Sequence, residues 1–113
     1  MAYYKSEENN YCGRRVISVA DGTESSHISI KAPGPYKLDN ITVSMEAAAS
    51  GPFTVNVVKS GIEAAVVTVT LDSTKSFIVT DANIWLDPTS SADYLVVNNQ
   101  SDQTAKVAFD FTY

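Results

Sequence analysis

From Gly51 to Leu71 the chain reads GPFTVNVVKSGIEAAVVTVTL, and the only charges in those 21 residues are Lys59 and Glu63, both at the turn. Apolar and small polar residues alternate, the pattern breaks once at Lys-Ser-Gly, and it then resumes. A period of two places successive side chains on opposite faces of a strand, so the stretch predicts a β-hairpin. Gly61 suits its turn because glycine takes positive φ without a Cβ penalty. Phe53, Val55 and Val57 then face inward opposite Val67, Val69 and Leu71, and Thr54, Asn56, Val58, Val66, Thr68 and Thr70 form the outer face. Ala64 to Leu71 has no charge, no proline and high β-propensity, so as a free edge it invites pairing with other chains. Cover by neighbouring subunits is the expectation.

The same alternation runs through most of the chain, and no segment of useful length carries apolar residues at helical spacing. Candidate strands are Arg15–Ala20, His27–Ala32, Tyr36–Glu46, Phe53–Lys59, Ala64–Leu71, Ser76–Thr80, Asn83–Leu86, Tyr94–Asn98 and Lys106–Tyr113. Turn material such as DGTESS, APGP, ASGP, DSTK, DPTSSAD and NNQSDQ separates them. Short strands jointed by Gly, Pro and Asp indicate an all-β fold: an antiparallel two-sheet β-sandwich, immunoglobulin-like or jelly-roll, of seven to nine short strands. Ile41, Val43, Met45, Val107, Phe109, Phe111 and Tyr113 join the inward set. At 113 residues this is one structural domain. Residues 1–35 read as an N-terminal docking segment with one or two leading strands, and 36–113 as the sandwich body.

The net charge of −5 falls entirely on residues 36–113, where four bases meet nine acids; residues 1–35 balance four against four. An acidic chain disfavours nonspecific nucleic-acid binding, so no direct nucleic-acid partner is expected. Cys12 stands alone, which excludes an intrachain disulfide and fits a buried thiol, with an intermolecular bridge as the alternative. The N-terminal MAYYKSEENN lacks the apolar core of a signal peptide, and no run reaches membrane-spanning length. Synthesis in a reducing cytoplasm, with no membrane partner, is the expectation.

Chemistry is sparse. One His, one Cys and no His-x-x-His, Cys-x-x-Cys or glycine-rich phosphate loop leave little for catalysis, metal or cofactor, and no enzyme activity is expected. His27 alternates with Ile28 and Ile30 and so belongs to a strand. Asp81, Asn83, Asp87 and Asp93 lack EF-hand spacing and read as turn formers that bond their own backbone. Trp85, Asp87 and Tyr94 around the Asp-Pro loop suggest a glycan site, since an exposed indole beside carboxylates suits sugar stacking. Tyr3, Tyr4 and Tyr11, interleaved with charges and followed by Arg14 and Arg15, cannot form a core alone and suit a partner surface.

From Tyr36 onward the chain resembles a β-sandwich module that recurs in virion proteins of tailed bacteriophages and their prophage relatives. The resemblance rests on Gly51, Phe53, Val55 and Val57 in a G-x-[FL]-x-V-x-[VI] strand and on Lys59-Ser60-Gly61 in the turn after it. It continues through a Ser/Thr/Lys-rich turn, Asp93, Leu95 and Val97, and a closing Ala105 to Tyr113. It covers about two thirds of the chain. In that family such modules serve as capsid decoration proteins, head-fibre parts and tail-associated domains. The resemblance implies a non-enzymatic virion protein that binds the major capsid protein or other virion subunits. A decoration, cement or minor head protein is the leading reading, and a homo-oligomer, guessed as a trimer, fits it. Tyr3, Tyr4, Tyr11, Arg14, Arg15, Thr54, Asn56, Thr68 and Thr70 would make the contacts. The alternative is a carbohydrate-binding or host-adhesion module of a phage tail or head fibre, using Trp85, Asp87 and Tyr94.

Overall fold

A computed structural model describes residues 2–5, 11–32, 34–89 and 92–113, with side chains from residue 13 onward except at 26. Every regular element among them is a strand: β1 (Ala2–Lys5), β2 (Tyr11–Val19), β3 (Thr23–Ile28), β4 (Tyr36–Lys59), β5 (Ile62–Val79), β6 (Ile84–Leu86), β7 (Tyr94–Asn99) and β8 (Ala105–Thr112). All pairings are antiparallel, as the alternation predicts.

Two strands are much longer than short-strand reading suggests. β4 runs for 24 residues and β5 for 18, joined at Ser60 and Gly61. Both turn residues have positive φ, 53° and 81°, the geometry of a two-residue type I′ turn whose twist matches its strands. β5 follows one edge of β4 back from Lys59↔Ile62 to Ile41↔Val79. After a kink at Asp81 and Asn83, β6 continues along the same edge from Leu38↔Ile84 to Tyr36↔Leu86. The Ala82 amide bridges the kink by donating to the Asp39 carbonyl at 2.8 Å.

The opposite edge of β4 is shared. β8 pairs with its first half, Lys37 to Met45, and β7 with its second half, Phe53 to Val58. The sheet therefore forks and folds over between Met45 and Phe53. One layer has the order β1-β2-β8-β4, with the end of β5 and β6 beyond; the other has β3-β7-β4 with the start of β5 beyond. Phe53 meets Phe77 edge-to-face at 5.7 Å across the two layers. Leu38, Ile41, Val43, Val55, Leu95, Val97, Val107 and Phe109 are wholly excluded from solvent between them. Ile41, Val43, Val55, Val107 and Phe109 are residues that alternation points inward; Leu38 joins them because a bulge between Leu38 and Asn40 shifts the phase of β4.

The loop between β7 and β8 fills the fork. Gln100 N–H donates to the Pro52 carbonyl at 3.0 Å, Asp102 N–H to Ser50 at 3.2 Å, and Glu46 N–H to Thr104 at 3.0 Å. Gly51 makes the close approach possible. Its φ is +123°, and an added Cβ would stand 2.9 Å from the Gln100 carbonyl oxygen and 3.0 Å from the Ser101 Cα. Asn99, with no exposed surface, locks the arrangement. Its amide nitrogen donates to the carbonyls of Val19 (3.0 Å) and Gln103 (2.9 Å), and its oxygen accepts from Ser101 N–H (3.1 Å) and Ser101 hydroxyl (2.6 Å).

Candidate functional site

Among the described residues, β5 is the least buried strand. Leu71 alone among its 18 residues is fully buried, and Ile62 and Ile78 are 74% and 57% exposed. β4 pairs with one of its edges, and among the described residues the other edge carries no strand. Which backbone groups face that open edge follows from the fork. The Pro52 carbonyl accepts from Gln100 on the β7 side, so Pro52 directs its polar backbone away from β5. Thr70, opposite Pro52, and Thr68, opposite Thr54, occupy the same class of wide antiparallel pair. Their N–H and C=O groups therefore point off the molecule, within the uncharged run Ala64–Leu71. Bulges interrupt the edge between Val55 and Asn56 and between Ser44 and Gly51, leaving a regular segment from Val67 to Leu71.

Thr54, Asn56, Thr68 and Thr70 share the outer face of this layer, with Thr54 directly opposite Thr68. The Asn56 amide nitrogen donates to Glu63 Oε2 at 2.7 Å, and its oxygen is buried without a partner. Val58 and Val96 are buried on this same outer face, a small apolar patch separate from the main core.

The backbone of the leading residues belongs to the sheet. β1 pairs with β2, setting Tyr3 opposite Gly13, Tyr4 opposite Cys12 and Lys5 opposite Tyr11, and β2 pairs with β8 from Cys12 to Val19. The side chains of Tyr3, Tyr4, Tyr11 and Cys12 lie outside the described residues. Arg14 grips Asp110, with Nε to Oδ1 at 2.6 Å and Nη2 to Oδ2 at 3.2 Å. Arg15 lies apart from it, in a groove of about 520 Å³ at the seam between β2 and β3, with Ile17, Ser25, His27 and Lys31.

The three residues of the sequence-derived glycan site are not brought onto one surface. Trp85, 51% exposed, lies on the outer face of the first layer opposite Lys37. Tyr94 lies on the other layer opposite Val58 and stacks on His27, ring centroids 4.1 Å apart. Asp87 serves its own turn: its Oδ1 accepts from Thr89 N–H at 2.9 Å and from the Thr89 hydroxyl at 2.7 Å, and these bonds hold its pKa below the usual carboxylate value. Asp93 ties two loops, accepting from Ser60 N–H at 2.9 Å and from Asp87 N–H at 3.0 Å. Asp81 and Asn83 have positive φ, 53° and 52°, in the kink before β6, a conformation that Asx side chains tolerate. Among the described residues no group of three His, Cys, Asp or Glu side chains is placed to hold a metal ion. No helix among them is long and apolar enough to cross a membrane.

Sequence reasoning overlooked a polar ladder on the outer face of the first layer. Arg14 pairs with Asp110 across β2 and β8, and beside that pair Thr112 and Lys37 both reach Asp39 across β8 and β4, with Lys37 Nζ 3.4 Å from Asp39 Oδ1. The Arg14–Asp110 and Thr112–Asp39 partners are 96 and 73 positions apart along the chain, so only strand order brings them together.

No protein-family model matches the chain, and no curated protein matches it. Among solved structures, it is similar to a chain of Bacillus endospore appendages, described as a novel family of disulfide-linked pili. The identity is 16%, the match covers 92% of this chain and 87% of that one, and the TM-score is 0.45. It is also similar to a chain of infectious bursal disease virus, Gx strain, at 14% identity and a TM-score of 0.37, covering 89% of this chain and 32% of the viral one. Both TM-scores lie below 0.5.

Proposed function

We propose that this chain is a non-enzymatic structural protein that enters a larger assembly through its sheet edge. The observation that carries the reading is the open edge of β5, with outward backbone groups at Thr68 and Thr70 inside an uncharged, β-prone run. An unpaired strand of this kind gains hydrogen bonds and buries apolar surface when another strand lies along it. The resemblance of residues 36–113 to phage virion modules supports a more specific placement. The chain would be a capsid decoration, cement or minor head protein of a tailed bacteriophage, seated on the major capsid protein or other virion subunits. Copies would meet one another around a symmetry axis, as a trimer. The outer-face residues Thr54, Asn56, Thr68 and Thr70 and the leading Tyr3, Tyr4, Tyr11, Arg14 and Arg15 would supply contacts.

The test uses proline. At Thr68 and Thr70 proline removes a donor from the open edge while leaving the ladder to β4 intact, because neither N–H faces β4. Light scattering across a range of concentrations should show an oligomer for the wild-type chain and a smaller species for Thr68→Pro/Thr70→Pro with an unchanged β circular dichroism spectrum. A wild-type chain that stays monomeric and does not co-sediment with tailed-phage particles overturns the proposal. Removal of residues 2–5 alone tests the leading segment. It deletes β1 and spares β2, whose pairing with β8 the core requires.

A further inference from the structure

On the outer face of the first layer, strands β6, β4, β8 and β2 lie side by side. Trp85 is opposite Lys37, and Lys37 is opposite Thr112. In the neighbouring row Asn40 is opposite Asp110, which is opposite Arg14. Ile84 and Leu86 turn inward on either side of Trp85, so alternation directs the indole out, where half of it meets water. Beyond the indole runs the ladder of Arg14, Asp110, Thr112, Asp39 and Lys37. A groove of about 440 Å³ lies there, lined by Arg14, Asp39, Asn40, Asp110 and Thr112 together with Gly13 and Phe111.

We infer that this face is a binding site for a neutral oligosaccharide. Three properties single out that ligand class. The first is the exposed indole, a flat apolar platform of the kind that the C–H face of a pyranose ring covers. The second is charge balance. Arg14 and Lys37 offset Asp39 and Asp110, so the face draws in neither a polyanion nor a polycation, while its planar carboxylates and guanidinium keep donors and acceptors in fixed directions. Each carboxylate has about four acceptor positions, and the bonds within the ladder leave some of them open to hydroxyl groups. Among the described residues no bond engages the Asn40 side-chain amide, which offers a donor and an acceptor together.

The third property is shape. From β6 to β2 is three interstrand steps, about 14 Å, so the face is longer than one ring and open at both ends. It suits a short run of linked sugars lying across the strands, with one ring on Trp85 and the next over the Asp39–Asp110 ladder. Sequence reasoning places Trp85 in a sugar site with Asp87 and Tyr94. The folded chain supplies different partners, from β4, β8 and β2.

The experiment is a binding screen of the intact chain against an array of neutral oligosaccharides built from hexoses, deoxyhexoses and N-acetylhexosamines. Trp85 is the only tryptophan, so its emission reports the site directly in a titration with any sugar the array retains. Retention of at least one sugar is expected, with a saturable emission change. Trp85→Ala should weaken that binding about tenfold or more, and Asn40→Ala by several-fold. Tyr94→Ala, on the other layer, should leave affinity unchanged. Trp85 and Asn40 are outside the core, so melting curves should match wild type; Trp85→Tyr, which keeps a ring, should recover part of the affinity. A silent array, or undiminished binding by Trp85→Ala, overturns the inference. Either result leaves the edge-assembly proposal standing, since mass in solution is measured without sugar.

Discussion

Replacing Asn99 by alanine should cost more stability than any surface change in this protein. The side chain is fully buried and holds the end of β2 to the loop that fills the fork. Removing it takes a partner from five polar groups, and three of them keep or find another; the Ala20 carbonyl, 3.4 Å from the amide, still accepts from the Thr23 hydroxyl at 2.7 Å. The Ser101 hydroxyl already lies 3.1 Å from the Gln103 carbonyl and can satisfy that group and itself. The Val19 carbonyl and the Ser101 N–H lose the Asn99 partner outright. An unsatisfied buried group costs about 1–3 kcal/mol, so two of them cost about 4 kcal/mol. A domain of this size has a total stability of about 5–15 kcal/mol. The same loss lowers the melting temperature by about 15 °C, from an unfolding entropy of about 2.1 cal/mol/K per residue. Urea unfolding followed by circular dichroism measures it. The double variant Asn99→Ala/Ser101→Ala should fall short of additivity by about 1 kcal/mol, because both act on one network. Asn99→Asp keeps the shape, loses the donor and buries a carboxyl. Burial raises the folded-state pKa of that carboxyl above its unfolded value near 4, so its deficit against wild type should shrink as pH falls toward about 4. A loss below about 1 kcal/mol for Asn99→Ala would refute the reasoning, because water would then be serving both orphaned groups as well as the amide does.

Two further outcomes follow from the same geometry. Gly51→Ala should destabilise by about 2 kcal/mol or more in the same urea assay, since the new methyl meets backbone at 2.9 and 3.0 Å and φ is +123°. Tyr36 is buried beside Asp93, and burial first, then the carboxylate, pushes its phenol pKa up. Its unfolded value is about 10, so the stability linked to Tyr36 is complete below that pH and is lost as pH rises above it. Tyr36→Phe should flatten this alkaline decline, read from melting temperature between neutral and strongly alkaline pH.

Much of this fold is legible in the alternation alone. Phe53, Val55, Val107 and Phe109 turn inward where a period of two places them, and the Lys-Ser-Gly turn lies between the paired strands. The segmentation is less legible. Ala-Ser-Gly-Pro and Asp-Ser-Thr-Lys read as turns, yet each lies inside a continuous strand. Turn-forming residues here bend two paired strands together, so the ribbon folds over without unpairing, and only the partner strand reveals it. Asp-Gly-Thr-Glu-Ser-Ser likewise reads as a turn, but Thr23 onward pairs with β7. For the candidate site, the exposed Trp85 and the uncharged run in β5 stand out in one dimension. Asn99 and Ser101 do not, because NNQSDQ looks like any polar loop until its burial is known. The Arg14–Asp110 and Thr112–Asp39 links depend on strand order, which alternation does not encode.

The folded-over hairpin has a mechanical consequence. Each layer owns half of β4 and half of β5, so prising one layer open drags on the other through unbroken backbone. A chain wired in this way has no weaker half to shed under load; it yields all at once or holds.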